Sequence, residues 1–328
     1  MVTLVVPVYN MEQYLPRCME SLLAQSCRDY EILLVDDGSD ASTAELCDSY
    51  AAAQPELVRV IHKPNGGLSS ARNAGIDAAR GEFIIFPDPD DWVEPYYVES
   101  LLAFQREYRA DLVCLGHYID TAEVSVPANR STETLFLQGA EGQRGLLLSP
   151  RMQGFSWNKL YRLDVIRAHG IRFPDGMGTT EDLHFAYRYL AHAQRVCYVP
   201  GTRVYHYCQR EDSSTHSSFS RDKIGTIKTY EYIIDDCAHR DPELARCAAD
   251  EICTSAVNLI WLCECAEQRD REARRFLLKH IHRQLPGYLS SSQYGFGRKL
   301  QAVLAAVNPR LYMHLKNAVQ CLRKEGRR

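Results

Sequence analysis

The stretch EFIIFPDPDDW (residues 82–92) sets four apolar residues, Phe83 to Phe86, directly against three carboxylates, Asp88, Asp90 and Asp91. Pro87 and Pro89 are threaded between them. An apolar run of this length reads as a buried strand. Proline fixes its own φ and pushes the preceding residue toward extended geometry, so Phe86 and Asp88 are held extended. The strand therefore presents its acids with little freedom. Three like charges crowded at a strand end repel one another unless a cation joins them, and hard oxygen donors suit Mg²⁺ or Mn²⁺. Helix capping competes with this reading, because Asp91 and Glu94 have capping-box spacing. A cap explains one aspartate and not three.

Outward from this strand the pattern alternates. Strand-like TLVVPVY, EILLVDDGS, VRVIHK and DLVCLGHYI are separated by helix-like segments near residues 15–23, 42–53 and 68–80, and by one that opens at Pro95. Near-continuous apolar strands alternating with helices predict a mainly parallel α/β sheet covered on both faces. The spacing of WNKLYRLDVIRAHGI predicts a helix, and so does that of EDLHFAYRYLAHA. RVCYVPGTRVYHY reads as two short strands turning at Pro200-Gly201, and QREDSSTHSSFS as a polar loop. Everything beyond is helical. Leu300, Val303, Leu304 and Val307 form one stripe, and Leu311, Leu315, Ala318, Val319 and Leu322 another. At 328 residues, 45% hydrophobic and 24% charged, the chain divides into an α/β domain over 1–215 and a helical extension over 216–328. Within the first, 1–110 and 111–215 read as two halves.

Ligands of a parallel α/β sheet sit outside the carboxyl ends of its strands. Here those ends carry VPVYN, VDDGS and PDPDDW. No G-x-G-x-x-G follows the first strand and no G-x-x-x-x-G-K-[ST] occurs, which excludes a dinucleotide fingerprint and a P-loop. An acidic crevice holds a phosphorylated ligand when a divalent cation bridges the two. The 12 cysteines include no C-x-x-C pair. With no leader-type segment and no apolar run of about 18 residues, a cytoplasmic protein with reduced thiols is expected. From Gln268 onward there are 14 Lys and Arg against 3 Asp and Glu, a basic tail on an acidic body. That tail fits either attachment to anionic lipid at the inner face of the plasma membrane or a solvated face of a helical hairpin. Nucleic acid is not expected, since few aromatics interleave with the basic residues.

VPVYN, YLPRCMESLLAQS, EILLVDDGSDAST, HKPNGGLSSARNAGIDAARGEFIIFPDPDDW, WNKLYR and TTEDLHFAY occur in that order over about Val2 to Ser214. Together they resemble the inverting family 2 glycosyltransferases of GT-A fold, particularly bacterial enzymes that build surface polysaccharides. The resemblance implies that the first half, 1–110, binds a nucleotide-sugar, a UDP-sugar, and that 111–215 receives a glycan or lipid-linked acceptor. Pro7 and Tyr9 would lie against the nucleotide, and Asp37 would accept from the uracil N–H while Asp36 holds the loop. Arg72 would contact the base or a phosphate, with Asn65 and Gly66 shaping the adjoining loop. Asp88-Pro89-Asp90 matches the D-x-D motif: Asp88 would face the ribose or the metal, and Asp90 would ligate Mn²⁺ or Mg²⁺. The prolines depart from the family pattern, which usually has a small or β-branched residue before the first Asp and often Ser between the two.

Inversion requires a base on the acceptor side. Asp182, with Glu181 beside it, matches the family's base, although acids in the first turn of a helix after Thr179 and Thr180 also cap ordinarily. His206 reads as a third metal ligand, as a phosphate contact or as a structural histidine among aromatics. Arg210 reads as a diphosphate contact or a solvated side chain. Trp157, Asn158 and Lys159 would line the acceptor side, with Trp157 equally suited to the core. Two rival functions stand beside this one. A sugar nucleotidyltransferase needs a glycine-rich basic first loop that PVYNMEQYL lacks. A catalytically silent binding subunit draws support from the two prolines.

Overall fold

The computed structural model describes residues 1–148, 152–210, 219–267 and 270–325, with side chains to 321. They form two compact units, residues 1–176 with 181–213, and residues 177–180 with 214–328. Residues 177–180, expected within 1–215, group with the helical unit.

The first unit opens as the alternation predicts: β1 (Val2–Val8), α1 (Leu15–Leu23), β2 (Tyr30–Asp36), α2 (Ala41–Ala53), β3 (Val58–His62), α3 (Leu68–Ala78) and β4 (Phe83–Ile85). Pro16 lies in the first turn of α1, where its missing N–H costs nothing. Asp40 caps α2 by accepting from Thr43 N. Then follow β5 (Trp92–Val93), α4 (Tyr97–Tyr108), β6 (Leu112–Asp120), β7 (Ser125–Pro127), β8 (Leu135–Leu137), α5 (Ala140–Leu147), β9 (Lys159–Arg162), α6 (Leu163–Ala168), α7 (Glu181–Leu190) and β10 (Val196–Cys208). The described strands order as β3-β2-β1-β4-β9-β6-β10-β5, with β7 on β6 and β8 on β10. β3, β2, β1 and β4 are mutually parallel, β9 is antiparallel to both neighbours, and β10 runs parallel to β6.

Two segments differ from their sequence pattern. Within WNKLYR, Lys159–Arg162 is a strand, not the start of a helix. Leu160, Leu163 and Ile166 keep helical spacing and are all buried, but Leu160 sits in β9, which fills the gap between β4 and β6. The helix α6 begins only at Leu163. Residues 196–208 are one strand rather than a hairpin. Pro200-Gly201 makes an irregularity between Val199 and Arg203, and β6 accepts it at Gly116. A Cβ at Gly116 would lie 2.2 Å from the Pro200 carbonyl oxygen. The expected polar loop falls largely outside the described residues.

The helical unit holds a short 3₁₀ turn (Arg221–Ile224), then α8 (Gly225–Cys237), α9 (Pro242–Cys265), α10 (Arg271–Ser290), α11 (Phe296–Val307) and α12 (Pro309–Glu325). Its core gathers Ile227 and Ile233 of α8, Leu244, Ile252, Ala256 and Ile260 of α9, and Leu277 and Ile281 of α10. Asp241 caps α9 ahead of Pro242, and Asp270 caps α10. The predicted stripes of α11 and α12 exist, but they do not make the packing surface. Ala302, Ala305 and Ala306 do so in α11, and Tyr312 is buried in α12. The side chain of Leu322 lies outside the described residues.

In the first unit α3 approaches β1 closely enough that Gly75 has no room for a side chain: a Cβ would lie 2.2 Å from Val5 Cγ1. Val5 is β-branched and fully buried, so it cannot rotate away. Gly75→Ala is expected to cost about 1–3 kcal/mol in chemical denaturation, and Gly75→Ala with Val5→Ala to cost less than the two single changes summed. Strict additivity would show that the two residues do not meet.

Candidate active site

The register of the parallel strands brings Val8, Asp36 and His62 side by side at the carboxyl edge of the sheet. Tyr9 follows the end of β1 and is about half exposed, whereas Pro7 is buried opposite Val35 and not open to a ligand. Asp36 accepts from Ser39 N (2.9 Å) and pairs with His62 Nδ1 (2.7 Å). Asp37 is also committed within the chain. Oδ1 accepts from Gly66 N (3.0 Å) and from Lys63, and Oδ2 accepts from Gly67 N (2.7 Å). Both acids therefore hold loops, where only Asp36 was expected to do so. Gly38 has a φ of +76°, and a Cβ on it would lie 2.7 Å from Asn65 N. Asn65 and Gly66 thus shape this edge through their backbone.

Beyond β4, Phe86 is fully buried among Phe173 (centroids 5.0 Å) and Phe185 (5.7 Å). The chain then turns through Pro87-Asp88-Pro89. Prolines at 87 and 89 leave Asp88 N–H to be satisfied between them, and it donates to Tyr205 Oη (3.1 Å). The same hydroxyl donates to Asp91 Oδ2 (2.7 Å), whose Oδ1 accepts from Cys208 N (2.8 Å). Asp91 thereby ties the turn to β10. Ligand oxygens of Asp88, Asp90 and Asp91 all lie within 4.8 Å of one another. Burial pushes the Asp88 carboxyl up to about 7 against the pull of Arg72, with Asp90 and Asp182 adding to it. Burial and the neighbouring acids also raise Asp91 well above the carboxylate range. The three carboxylates outnumber the arginines that meet them, and their all-oxygen donors fit a hard divalent cation. Arg210, just past β10, pairs with Asp90 Oδ2 (2.7 Å) and lies 4.2 Å over the Tyr14 ring.

Arg72 organises the other side. It is 1% exposed, and its guanidinium spans three acids. Nη2 donates to Asp88 Oδ1 (2.8 Å), while Nη1 donates to Asp182 Oδ1 (2.7 Å) and Glu181 Oε1 (3.1 Å). The Phe173 ring lies 5.2 Å below it. Arg72 is thus enclosed by protein rather than set against a base or phosphate, because Asp88 and α7 converge on it from opposite sides. Asp182 Oδ2 accepts from Ser156 N (3.2 Å). Burial, and then the Asp182 charge, raises the carboxyl of Glu181.

Trp157, Asn158 and Lys159 do not form an open acceptor surface; all three are buried. Trp157 stacks on Tyr205 (4.3 Å) and Phe155 (4.9 Å). Asn158 Nδ2 donates to Leu115 O (2.8 Å), and Lys159 Nζ donates to Phe155 O (2.6 Å). Together they fix the segment that carries Ser156 to Asp182. The exposed aromatic here is Phe155, and the sequence reading passed over it; its signal was an aromatic two residues before Trp157. His206 is not a third metal ligand. Its ring stacks on Trp92 (3.6 Å) and Tyr118 (4.8 Å), Nδ1 faces Asp120 (3.1 Å) and Nε2 faces Glu94 (3.2 Å), so both nitrogens are committed. Tyr205 and Asp91 position the turn instead.

Removing Arg72 leaves several carboxylates facing one another with their shared cation gone. Arg72→Met is expected to destabilise the chain by about 3–5 kcal/mol in chemical denaturation, and Arg72→Lys to restore little, since a point charge cannot fork to both sides. A loss below about 1 kcal/mol would refute this role. At the sheet edge, hydrogen bonds to Asp36 and then Asp48 raise His62 above its usual value. Burial opposes it, yet hydrogen bonds from Ser39 and His62 hold Asp36 below the carboxylate range. The raised histidine stabilises fully below its unfolded value and loses this as pH rises through the folded one. The lowered carboxyl stabilises above its unfolded value and loses this as pH falls. The pair therefore contributes most between about pH 4 and 6.5. Between about pH 6 and 8 the wild-type melting midpoint is expected to fall more than that of His62→Gln. Equal slopes would remove this pair from the pH dependence.

Residues 3–170 match the family model described as Glycosyl transferase family 2. EpsH of Bacillus subtilis (strain 168) is 39% identical over 209 residues, 63% of this chain and 60% of that protein. The poly(ribitol-phosphate) beta-N-acetylglucosaminyltransferase TarS of Staphylococcus aureus (strain MW2) is 25% identical over 219 residues, 66% of this chain and 37% of TarS. The chain thus spans less than two thirds of the length of these relatives. The crystal structure of S. aureus TarS 1–349 in complex with UDP-GlcNAc has a TM-score of 0.66 at 20% identity, covering 97% of this chain and 91% of that one. That likeness is one of fold, the GT-A sheet with a C-terminal helical region. With the family model covering residues 3–170, the chain belongs to glycosyl transferase family 2.

Proposed function

We propose that the chain transfers a sugar from a UDP-sugar to a hydroxyl of a bacterial surface glycan or its lipid-linked precursor, with inversion at the anomeric carbon and dependence on Mn²⁺ or Mg²⁺. The observation that carries this reading is the Arg72 fork, which holds Asp88 of the D-x-D turn and Asp182 of α7 on one rigid guanidinium. A donor end and an acceptor end are thereby kept in one frame, as a direct displacement requires. The relatives lend support: one is named a beta-N-acetylglucosaminyltransferase, and its structure carries UDP-GlcNAc.

Asp90 and Asp88 would hold the cation, and Asp91 would steady them from β10. A divalent cation there supplies charge neutralisation for the departing diphosphate. Arg210 would add a second positive group on the same side. Asp182 would take the proton of the acceptor hydroxyl as its oxygen bonds to the anomeric carbon and the bond to the diphosphate breaks. Arg72 and Ser156 fix the direction of that carboxylate. Glu181 would share the Arg72 charge rather than the proton. The reaction would run in the cytoplasm, where sugar nucleotides are available.

Release of nucleoside diphosphate from a panel of UDP-, GDP- and dTDP-sugars, with Mn²⁺ or with EDTA, tests the assignment. Metal-dependent release from a UDP-sugar is expected. Asp182→Asn is expected to lower turnover by about 10²–10⁴-fold while UDP still binds in calorimetry, and Asp90→Asn to abolish the metal dependence. Release from no donor, with no UDP binding in Mn²⁺, would hand the site to a silent binding role.

A further inference from the structure

The two C-terminal helices are built the wrong way round for a closed bundle. On α11 the residues at helical spacing 296, 300, 303, 304 and 307 share one face. Phe296 on that face is 81% exposed, Val307 is 80% exposed and Leu300 is also exposed. The opposite face, with Ala302, Ala305 and Ala306, is the one that is buried. On α12, Leu311, Leu315 and Val319 repeat every four residues and are likewise exposed, while Tyr312 is buried. Large apolar side chains thus point to solvent while alanines make the internal contacts. Large apolar side chains exposed in this number on two successive helices mark an interaction surface.

Charge says what covers it. Between Glu272 and Glu325 the chain has no Asp or Glu, yet it has ten Lys or Arg. Lys299 and Arg310 directly adjoin Leu300 and Leu311 of the apolar stripes, and Arg310 is exposed. A second copy of this face would bring the same positive charges and no acid to answer them. A partner with an apolar interior and an anionic rim satisfies both features. No described helix is long and apolar enough to cross a membrane, so the contact lies along the surface. We propose that the exposed face of α11 and α12 docks onto an anionic lipid bilayer, with Phe296, Leu300, Val307, Leu311, Leu315 and Val319 entering the acyl boundary. The basic residues around them meet the headgroups. This inference rests on the helical unit alone and does not depend on the chemistry proposed above.

Co-sedimentation of the full chain with phosphatidylcholine vesicles, and with vesicles containing about 30% phosphatidylglycerol, tests it. Binding to the anionic vesicles, weakened by salt, is expected, with little on the neutral ones. The variant Phe296→Ser/Val307→Ser changes only side chains that are four-fifths exposed, so its melting should match wild type. Its vesicle affinity is expected to fall by at least about tenfold. Lys299→Gln/Arg310→Gln is expected to lose the preference for anionic vesicles. Absence of binding to anionic vesicles, or undiminished binding by the Phe296/Val307 variant, would overturn the proposal. A stable oligomer in light scattering that this variant dissociates, without vesicle binding, would assign the face to a second copy instead.

Discussion

One buried guanidinium sets the geometry of the α/β unit. Arg72 comes from α3, Asp88 from the turn after β4, and Glu181 and Asp182 from the start of α7. The start of α7 is far in sequence from the other two, and among the described residues no backbone ladder joins the turn to that helix. What joins them is a planar fork with donors on two edges, a shape that arginine alone supplies. The charge balance is deliberately one-sided in physical terms: one cation faces three acids, and two further acids, Asp90 and Asp91, stand behind Asp88. An interior ion pair gains little net stability once desolvation is counted, so its value lies in the arrangement it imposes.

The crowded acids after β4 then have separate tasks. Asp88 faces Arg72, Asp90 faces Arg210, and Asp91 is spent on Tyr205 and Cys208. The prolines serve the same end. They remove two backbone donors from the turn and leave Asp88 N–H, which Tyr205 accepts. Tyr205 itself is packed against Trp157, whose neighbours position Ser156 against Asp182. A continuous chain of contacts therefore runs from the D-x-D turn through β10 and the residue 155–159 segment to α7, in parallel with the direct route through Arg72. Rigidity of this kind suits a reaction whose two ends must meet within a fraction of an ångström.

Much of this was legible in the chain. The strands β1 to β4 and helices α1 to α3 were readable because apolar runs, prolines and glycines punctuate them locally. The D-x-D turn announced itself by charges that no local structure explains. The errors share a cause, which is long-range pairing. Leu160, Leu163 and Ile166 keep a helical period, yet the slot between β4 and β6 draws Leu160 into a strand. Pro200-Gly201 looks like a hairpin turn, but Gly116 on a distant strand leaves room for it as a bulge. Arg72, Trp157, Asn158 and Lys159 have the chemistry of ligand contacts, and only the fold shows them enclosed. His206 has the chemistry of a metal ligand, but Asp120 and Glu94 claim both of its nitrogens. The apolar stripe of α11 was correctly located, while the sequence held no sign that alanines would take the inner face.

The central claim is that the Asp88–Asp90 turn holds a cation for a nucleoside diphosphate while Arg72 keeps Asp182 in the same frame. A crystal structure of the full chain with UDP and Mn²⁺, with anomalous data at the manganese edge, tests it most directly. The account predicts one manganese peak bound by Asp90 and Asp88, the diphosphate upon it, and Arg72 still bridging Asp88 and Asp182. A nucleotide bound with no manganese at these carboxylates, or Arg72 withdrawn from Asp182 to the nucleotide, would contradict it.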